Sequence, residues 1–130
     1  MCLFINHLEP KIADKDIICY KLVKRTKIKG VYKSSFQEFE YVIRQLYINN
    51  FDIKLSYFLI KHISIIGSSI TYIEEGMFHS YTNYMPFMVA NFTDESILKC
   101  IIPKGAYYFE GYFDESPSYA SSQIKILEEI

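Results

Sequence analysis

The sequence has no tryptophan, three cysteines and almost no net charge. Its 14 Lys and Arg nearly balance 15 Asp and Glu, so the chain as a whole offers no field to attract nucleic acid. The longest apolar stretch, 55–66, is interrupted by Lys61 and His62 and is too short to cross a bilayer. The first residues lack the basic segment of a signal peptide. We therefore expect a cytoplasmic protein that does not bind membranes.

The three cysteines are Cys2, Cys19 and Cys100, an odd number whose spacing matches no zinc motif. Cys19 and Cys100 lie in apolar runs, where a free thiol behaves as a small apolar side chain. We expect three free thiols and a reducing, intracellular environment. No cofactor motif is present, so the sequence names no cofactor.

Half of the 130 residues are hydrophobic, and 12 Tyr and 10 Phe supply the large side chains. This length and composition predict one folded domain over residues 1–130. The central element is the segment 96–111. Residues 97–102 are apolar on both faces, which favours an interior strand; a turn follows at 103–105, and an aromatic strand over 106–110.

Other segments complete the expected fold. Apolar residues at helical spacing predict a helix over 36–48, with a second helix over 52–66, although β-branched residues make a strand nearly as plausible at the end of that segment. A short helix is expected from residue 83 to 92. Together with strands at 17–23, 31–32, 70–73 and 119–127, and a loop carrying Gly76, His79 and Ser80, this predicts an α+β fold: a mostly antiparallel sheet of five or six strands with two or three helices.

Charge is unevenly distributed along the chain. Segment 11–33 carries eight basic and two acidic residues, and segment 94–129 carries seven acidic and three basic residues. The first segment could bind phosphate or nucleic acid. The interpretation we favour is a solvated hairpin opposite an acidic sheet edge, or a surface for self-association, because no groove or basic–aromatic pattern accompanies the charge.

The best candidate site is the segment GMFHSY, 76–81. Gly76 would let a ligand approach the backbone, and His79 titrates near neutrality beside Ser80. A helix starting near Asn83 would offer free N–H groups to an anion. With Tyr20 and Tyr108 as stacking neighbours, these residues form the predicted binding site. The alternative is a histidine hydrogen-bonded to a loop carbonyl, with the tyrosines serving the core.

Four segments carry a resemblance: MCLxxxxxEPKxAxxDIxCYK (1–21), EGMFHSY (75–81), CIIPKGAYYFEG (100–111) and YASSQIKIL (119–127). Together they resemble short proteins of gut Bacteroidetes and their phages, a likeness that implies no activity. The order of elements is also similar to the ADP-ribosyltransferase-like fold. That likeness implies Tyr20 or Lys21 at the first site position, His79-Ser80 at the second, and Gln123 or Lys125 at the third. The catalytic Glu is missing, since Glu128 comes too late.

We therefore expect a small accessory or regulatory binding protein of a bacterium or phage, with a protein or small-molecule partner and possible homo-oligomerisation. The alternative is an ADP-ribosyltransferase-like or other nucleotide-handling enzyme with a degenerate site; the catalytic residues are unknown in either case. A deep pocket joining His79 to a carboxylate would favour the enzyme. A shallow surface with exposed tyrosines would favour the binding protein.

Overall fold

The computed structural model describes residues 3–5, 9–34, 39–48, 60–65, 68–73, 77–83, 94–113 and 116–130; for residues 3, 60–65 and 68–73 it describes the backbone only. These residues form strands and turns, with no helix among them and thus none that could cross a membrane. The strands are β1 (Leu3–Ile5), β2 (Lys11–Ile12), β3 (Ile17–Arg25), β4 (Val31–Ser34), β5 (Glu40–Val42), β6 (Leu46–Ile48), β7 (Ile60–Ile65), β8 (Ser68–Ile73), β9 (Phe78–Tyr81), β10 (Glu95–Ile102), β11 (Tyr107–Phe113), β12 (Ser116–Ser121) and β13 (Gln123–Glu129).

All the described strands belong to one antiparallel sheet, in the order β6-β13-β10-β3-β9-β12-β11-β1-β8-β7. Beside this row, β2 pairs with β11, and β4 pairs with both β3 and β5. Strand β10 is therefore interior, with β3 on one side and β13 on the other. This confirms the interior strand that the sequence predicts at 97–102.

The α+β prediction is wrong, because the described residues contain sheet and no helix. Residues 40–42 and 46–48 of the predicted helix 36–48 are β5 and β6, joined by a turn in which Arg44 has a φ of 68°. Tyr41 is buried between the exposed Glu40 and Val42, which is the alternation of a strand. Tyr41 then packs edge-to-face on Tyr47 of β6, with ring centroids 5.3 Å apart.

The other two predicted helices lie only partly within the described residues. Residues 60–65 form β7, so the β-branched end of the predicted helix 52–66 is a strand; residues 52–59 lie outside the described residues. The predicted helix over 83–92 lies outside them from residue 84 onward. The predicted strands at 17–23, 31–32 and 70–73 are contained in β3, β4 and β8. The loop predicted to carry His79 and Ser80 is instead the strand β9.

The C-terminal third follows the prediction with one difference. The turn at 103–105 is present: Gly105 has a φ of +90°, and the Asp16 carboxylate accepts the Lys104 N–H at 2.9 Å. The single strand predicted over 119–127 is instead two strands, β12 and β13, interrupted at Ser122. The Ser122 hydroxyl accepts a hydrogen bond from the Tyr107 N–H at 3.0 Å, and the Ser122 N–H donates to the Tyr107 carbonyl at 2.9 Å. A side chain thus satisfies the backbone where the strand is interrupted.

Directly paired residues share a face of a sheet, and this assigns the side chains to two faces. We call the side that carries Cys19, Val23, Cys100 and Ile126 the core face, because these buried residues belong to the larger apolar cluster. The opposite face carries a smaller cluster, Met77, Phe109 and Ala120. Strand β10 contributes to both sides: Leu98 and Ile97 are 0% and 1% exposed.

We predict that Leu98→Ala lowers the free energy of unfolding by about 2–5 kcal/mol, because it leaves a cavity in the middle of the sheet. The matched change Ile101→Ala should cost only about 1 kcal/mol, because Ile101 is half-buried and pairs with the exposed Ile18. Urea unfolding of the two variants measures the difference. Equal losses would contradict the interior position of Leu98 on β10.

Candidate functional site

The predicted site residues do not form one site. Gly76 lies outside the described residues. His79 and Ser80 are consecutive on β9, a strand, so their side chains point to opposite faces of the sheet. His79 pairs with Ala120 on the opposite face, and Ser80 pairs with Tyr119 on the core face.

The two tyrosines of the predicted site, Tyr20 and Tyr108, also lie on different faces of the sheet. Tyr20 pairs with Tyr81, which places it on the face of His79. Tyr108 is on the core face, where its ring meets Tyr119 edge-to-face with centroids 5.9 Å apart. The sheet therefore separates Tyr20 and His79 from Ser80 and Tyr108, and no single ligand group can contact all four side chains.

His79 is buried in an apolar setting. It is 6% exposed, and neither of its ring nitrogens has a hydrogen-bond partner among the described residues. Burial, assisted by the charge of Lys21, lowers the pKa of His79 to about 3, so the ring is neutral at pH 7. No described carboxylate bonds to it. Among the described residues, His79 is thus not bonded to a loop carbonyl, as the simpler interpretation expects.

Sequence reasoning counted Lys21 among the charges of segment 11–33, and the ADP-ribosyltransferase-like resemblance offered Tyr20 or Lys21 as a site position, but neither predicted that Lys21 is buried. Its side chain is on the core face and only 7% exposed. The Nζ donates to the backbone carbonyl of His79 and lies 5.0 Å from the centroid of the Tyr41 ring. The signal was available, because Lys21 lies at an even spacing between Cys19 and Val23, on the face that those two residues bury.

Cys19 and Cys100 are free thiols, as the sequence predicts, and they lie opposite each other on β3 and β10; Cys2 lies outside the described residues. Burial raises the pKa of Cys19 to about 11, although Ser80 and Lys21 oppose the rise, and burial raises the pKa of Cys100 further. Both sulfurs are therefore protonated at neutral pH and are poor nucleophiles. The described residues contain no cluster of metal-ligating side chains.

The basic segment 11–33 meets acids of the C-terminal segment. Lys11 pairs with Glu110 at 2.8 Å, and Arg25 pairs with Glu129 at 3.1 Å. Neighbouring strands also place Glu95, Lys24, Lys33 and Glu40 side by side in one row, with an acid at each end. These contacts favour the structural interpretation of the charge over a nucleic-acid surface.

Glu129 connects four strands near the end of the chain. Its carboxylate, on β13, accepts hydrogen bonds from Arg25 on β3 at 3.1 Å, from the Tyr32 hydroxyl on β4 and from the Ser96 hydroxyl on β10. The bonds from Ser96 and Tyr32, with the charge of Arg25, hold the pKa of Glu129 below its usual value. Burial and the Glu129 carboxylate together raise the pKa of Tyr32 to about 12.

Apolar side chains are exposed in a row on the opposite face. The register aligns Ile18, Ile101, Lys125 and Leu46 across β3, β10, β13 and β6, and Ile48 lies next to this row on β6. Ile18, Leu46 and Ile48 are 51%, 42% and 55% exposed. We call Ile18, Ile101, Leu46 and Ile48 the apolar strip. It reaches the end of the sheet, since β6 pairs only with β13 among the described strands.

Exposed aromatic residues occur elsewhere, on the other side of the sheet. Tyr112 and Phe4 pair across β11 and β1 and are 46% and 42% exposed. The described residues also line a small depression at the β3–β4 turn, beside Gly30 and Tyr32, and none of the predicted site residues lines it.

No family model, curated protein or solved structure matches the chain. The resemblances drawn from the sequence remain predictions.

We predict that His79 makes the protein acid-sensitive below pH 6.5. The unfolded state binds a proton near that pH, whereas the folded state resists protonation until about pH 3, so stability is complete above pH 6.5 and declines below it. Between pH 7 and pH 5 the loss from this residue should be about 2 kcal/mol. Urea unfolding at both pH values should show a smaller loss in His79→Met; parallel behaviour of the two proteins would contradict the prediction.

We predict that Glu129→Gln lowers the free energy of unfolding at pH 7 by about 1–2 kcal/mol, because three donors lose a charged acceptor. Since the folded-state pKa of Glu129 lies below 4.5, its contribution is complete above pH 4.5 and disappears as the pH falls further. Thermal unfolding across this range measures the effect. Glu128→Gln, next in the chain, is the control and should change little; a loss that persists in strong acid would argue against the charge.

Proposed function

We propose that this chain is a small accessory or regulatory binding protein that acts through protein–protein contact at the apolar strip. The observation that supports the proposal is the alignment of apolar side chains from β3, β10 and β6 on one face, with Lys125 of β13 between them and three of the apolar side chains 42–55% exposed. Exposed apolar side chains grouped in this way are typical of a contact site, because covering them removes apolar area from water.

The occupant that we propose is a second copy of the chain. The strip ends at β6, whose outer side pairs with no described strand. If two copies of β6 pair antiparallel about Tyr47, Leu46 of each copy lies opposite Ile48 of the other on the same face. Four exposed apolar side chains then meet in one block. The formal net charge of −1 puts little repulsion between the copies.

No observation in the described residues favours the nucleotide-handling enzyme. His79 lacks a carboxylate partner, both described thiols are protonated at neutral pH, and Ser80 is on the other side of the sheet from His79. A reducing, cytoplasmic environment is part of the proposal and is supported by the opposed thiols of Cys19 and Cys100, which are unpaired in the fold.

Sedimentation over a range of protein concentrations tests the proposal. We expect a reversible monomer–dimer equilibrium, and we expect the double variant Leu46→Ser, Ile48→Ser to weaken it by about tenfold or more, a change equivalent to 1.4 kcal/mol. Ile28→Ser is the matched control: Ile28 is 67% exposed but lies at the β3–β4 turn, away from the strip. A wild-type protein that stays monomeric up to its solubility limit, or a double variant that dimerises equally well, would refute self-association through β6.

A further inference from the structure

We propose that the core face contains a buried site for an oxyanion, the carboxylate or phosphate group of a small ligand, formed by the Lys21 ammonium and the Ser80 hydroxyl. The site is distinct from the apolar strip. Lys21 and Ser80 belong to the core face, whereas the strip lies on the opposite face of the same sheet.

The first observation is an uncompensated buried cation. Lys21 is 7% exposed, and no described carboxylate pairs with it. An ammonium group has three protons to donate, and Lys21 uses one of them on the His79 carbonyl. The Tyr41 ring face, 5.0 Å from Nζ, gives only partial compensation. A buried charge is costly unless it is paired, and an anionic ligand would provide the missing partner.

The second observation is a buried hydroxyl on the same face as this charge. The Ser80 side chain is 2% exposed, and its Oγ lies beside the Cys19 thiol, a weak acceptor, and makes no hydrogen bond of good geometry among the described residues. Ser80 follows His79, whose carbonyl binds Lys21, and its side chain points to the core face. Two neighbouring strands, β3 and β9, thus bring an ammonium, and a hydroxyl with only a weak thiol acceptor beside it, to the same region of the core.

The surroundings select for an acceptor with negative charge. Cys19 precedes Lys21 by two residues on the same face and lies close enough to Ser80 for the hydroxyl to affect its titration. Its thiol is neutral at pH 7, so it adds no competing anion. The Tyr41 ring bounds another side of the ammonium. Donors of this kind suit carboxylate or phosphate oxygens, and they do not suit a metal cation.

The test is thermal unfolding of the full chain in sodium acetate and in sodium phosphate, at ionic strength held constant with sodium chloride. We expect a saturable rise of the melting temperature with one or both anions. At a hundred times its dissociation constant, the anion should raise the folding equilibrium constant about a hundredfold. Comparison of the acetate and phosphate series distinguishes a carboxylate ligand from a phosphate ligand.

Two variants assign the effect to the site. Lys21→Met keeps the length of the side chain but removes the charge, and Ser80→Ala removes only the hydroxyl. Both should abolish or weaken the response, whereas Lys24→Met, an exposed lysine on the same strand, should retain it. If Lys21→Met does not fold, the anion titration of Ser80→Ala alone tests the proposal. The proposal is refuted if neither anion gives a saturable shift, if chloride alone gives the same shift, or if Ser80→Ala responds like the wild type.

Discussion

The pairing of β3 with β10 is the constraint on which the rest of the structure depends. Its register runs through eight consecutive residue pairs, from Glu95–Lys24 to Ile102–Ile17. This register puts Cys19 opposite Cys100 on the core face and leaves Ile18 opposite Ile101 on the other. A slip of one residue would exchange the faces, exposing the core and burying the strip. The buried Lys21 and the exposed strip thus arise from the same pairing.

Sequence reasoning succeeded where the signal is local. The run at 97–102 is apolar on both faces, and Gly105 marks its turn, so β10 and the turn were predictable. The helix at 36–48 was wrong because its apolar residues fit helical spacing, whereas Tyr41 pairs with Tyr32 on the preceding strand β4 and packs on Tyr47 of β6. The described residues of the predicted site are divided between the two faces for a similar reason. Once β9 is a strand, His79 and Ser80 face opposite ways.

The polar residues of the sheet follow two different rules. At the periphery, Glu129 is satisfied by three donors, and its partners hold β13 against β3, β4 and β10. In the interior, Lys21 and His79 make fewer hydrogen bonds than they could. Among the described residues, the Lys21 ammonium donates one hydrogen bond, and neither ring nitrogen of His79 has a partner. Peripheral networks of this kind stabilise a fold, whereas unsatisfied interior groups lower its stability. The interior residues are therefore the ones that need an explanation beyond folding.

The interruption at Ser122 has a consequence for the shape of the sheet. Strands β12 and β13 are separated by one residue in the chain but by β9, β3 and β10 in the sheet. A flat sheet would put them about 19 Å apart, at roughly 4.8 Å per strand, which one residue cannot span. The five strands must therefore curl until the two ends meet, with the core face inside. Among the described residues only the pair Tyr20–Tyr81 joins β3 to β9 in register, so the hydrogen bond from Lys21 to the His79 carbonyl reinforces the shortest strand pairing of that curl.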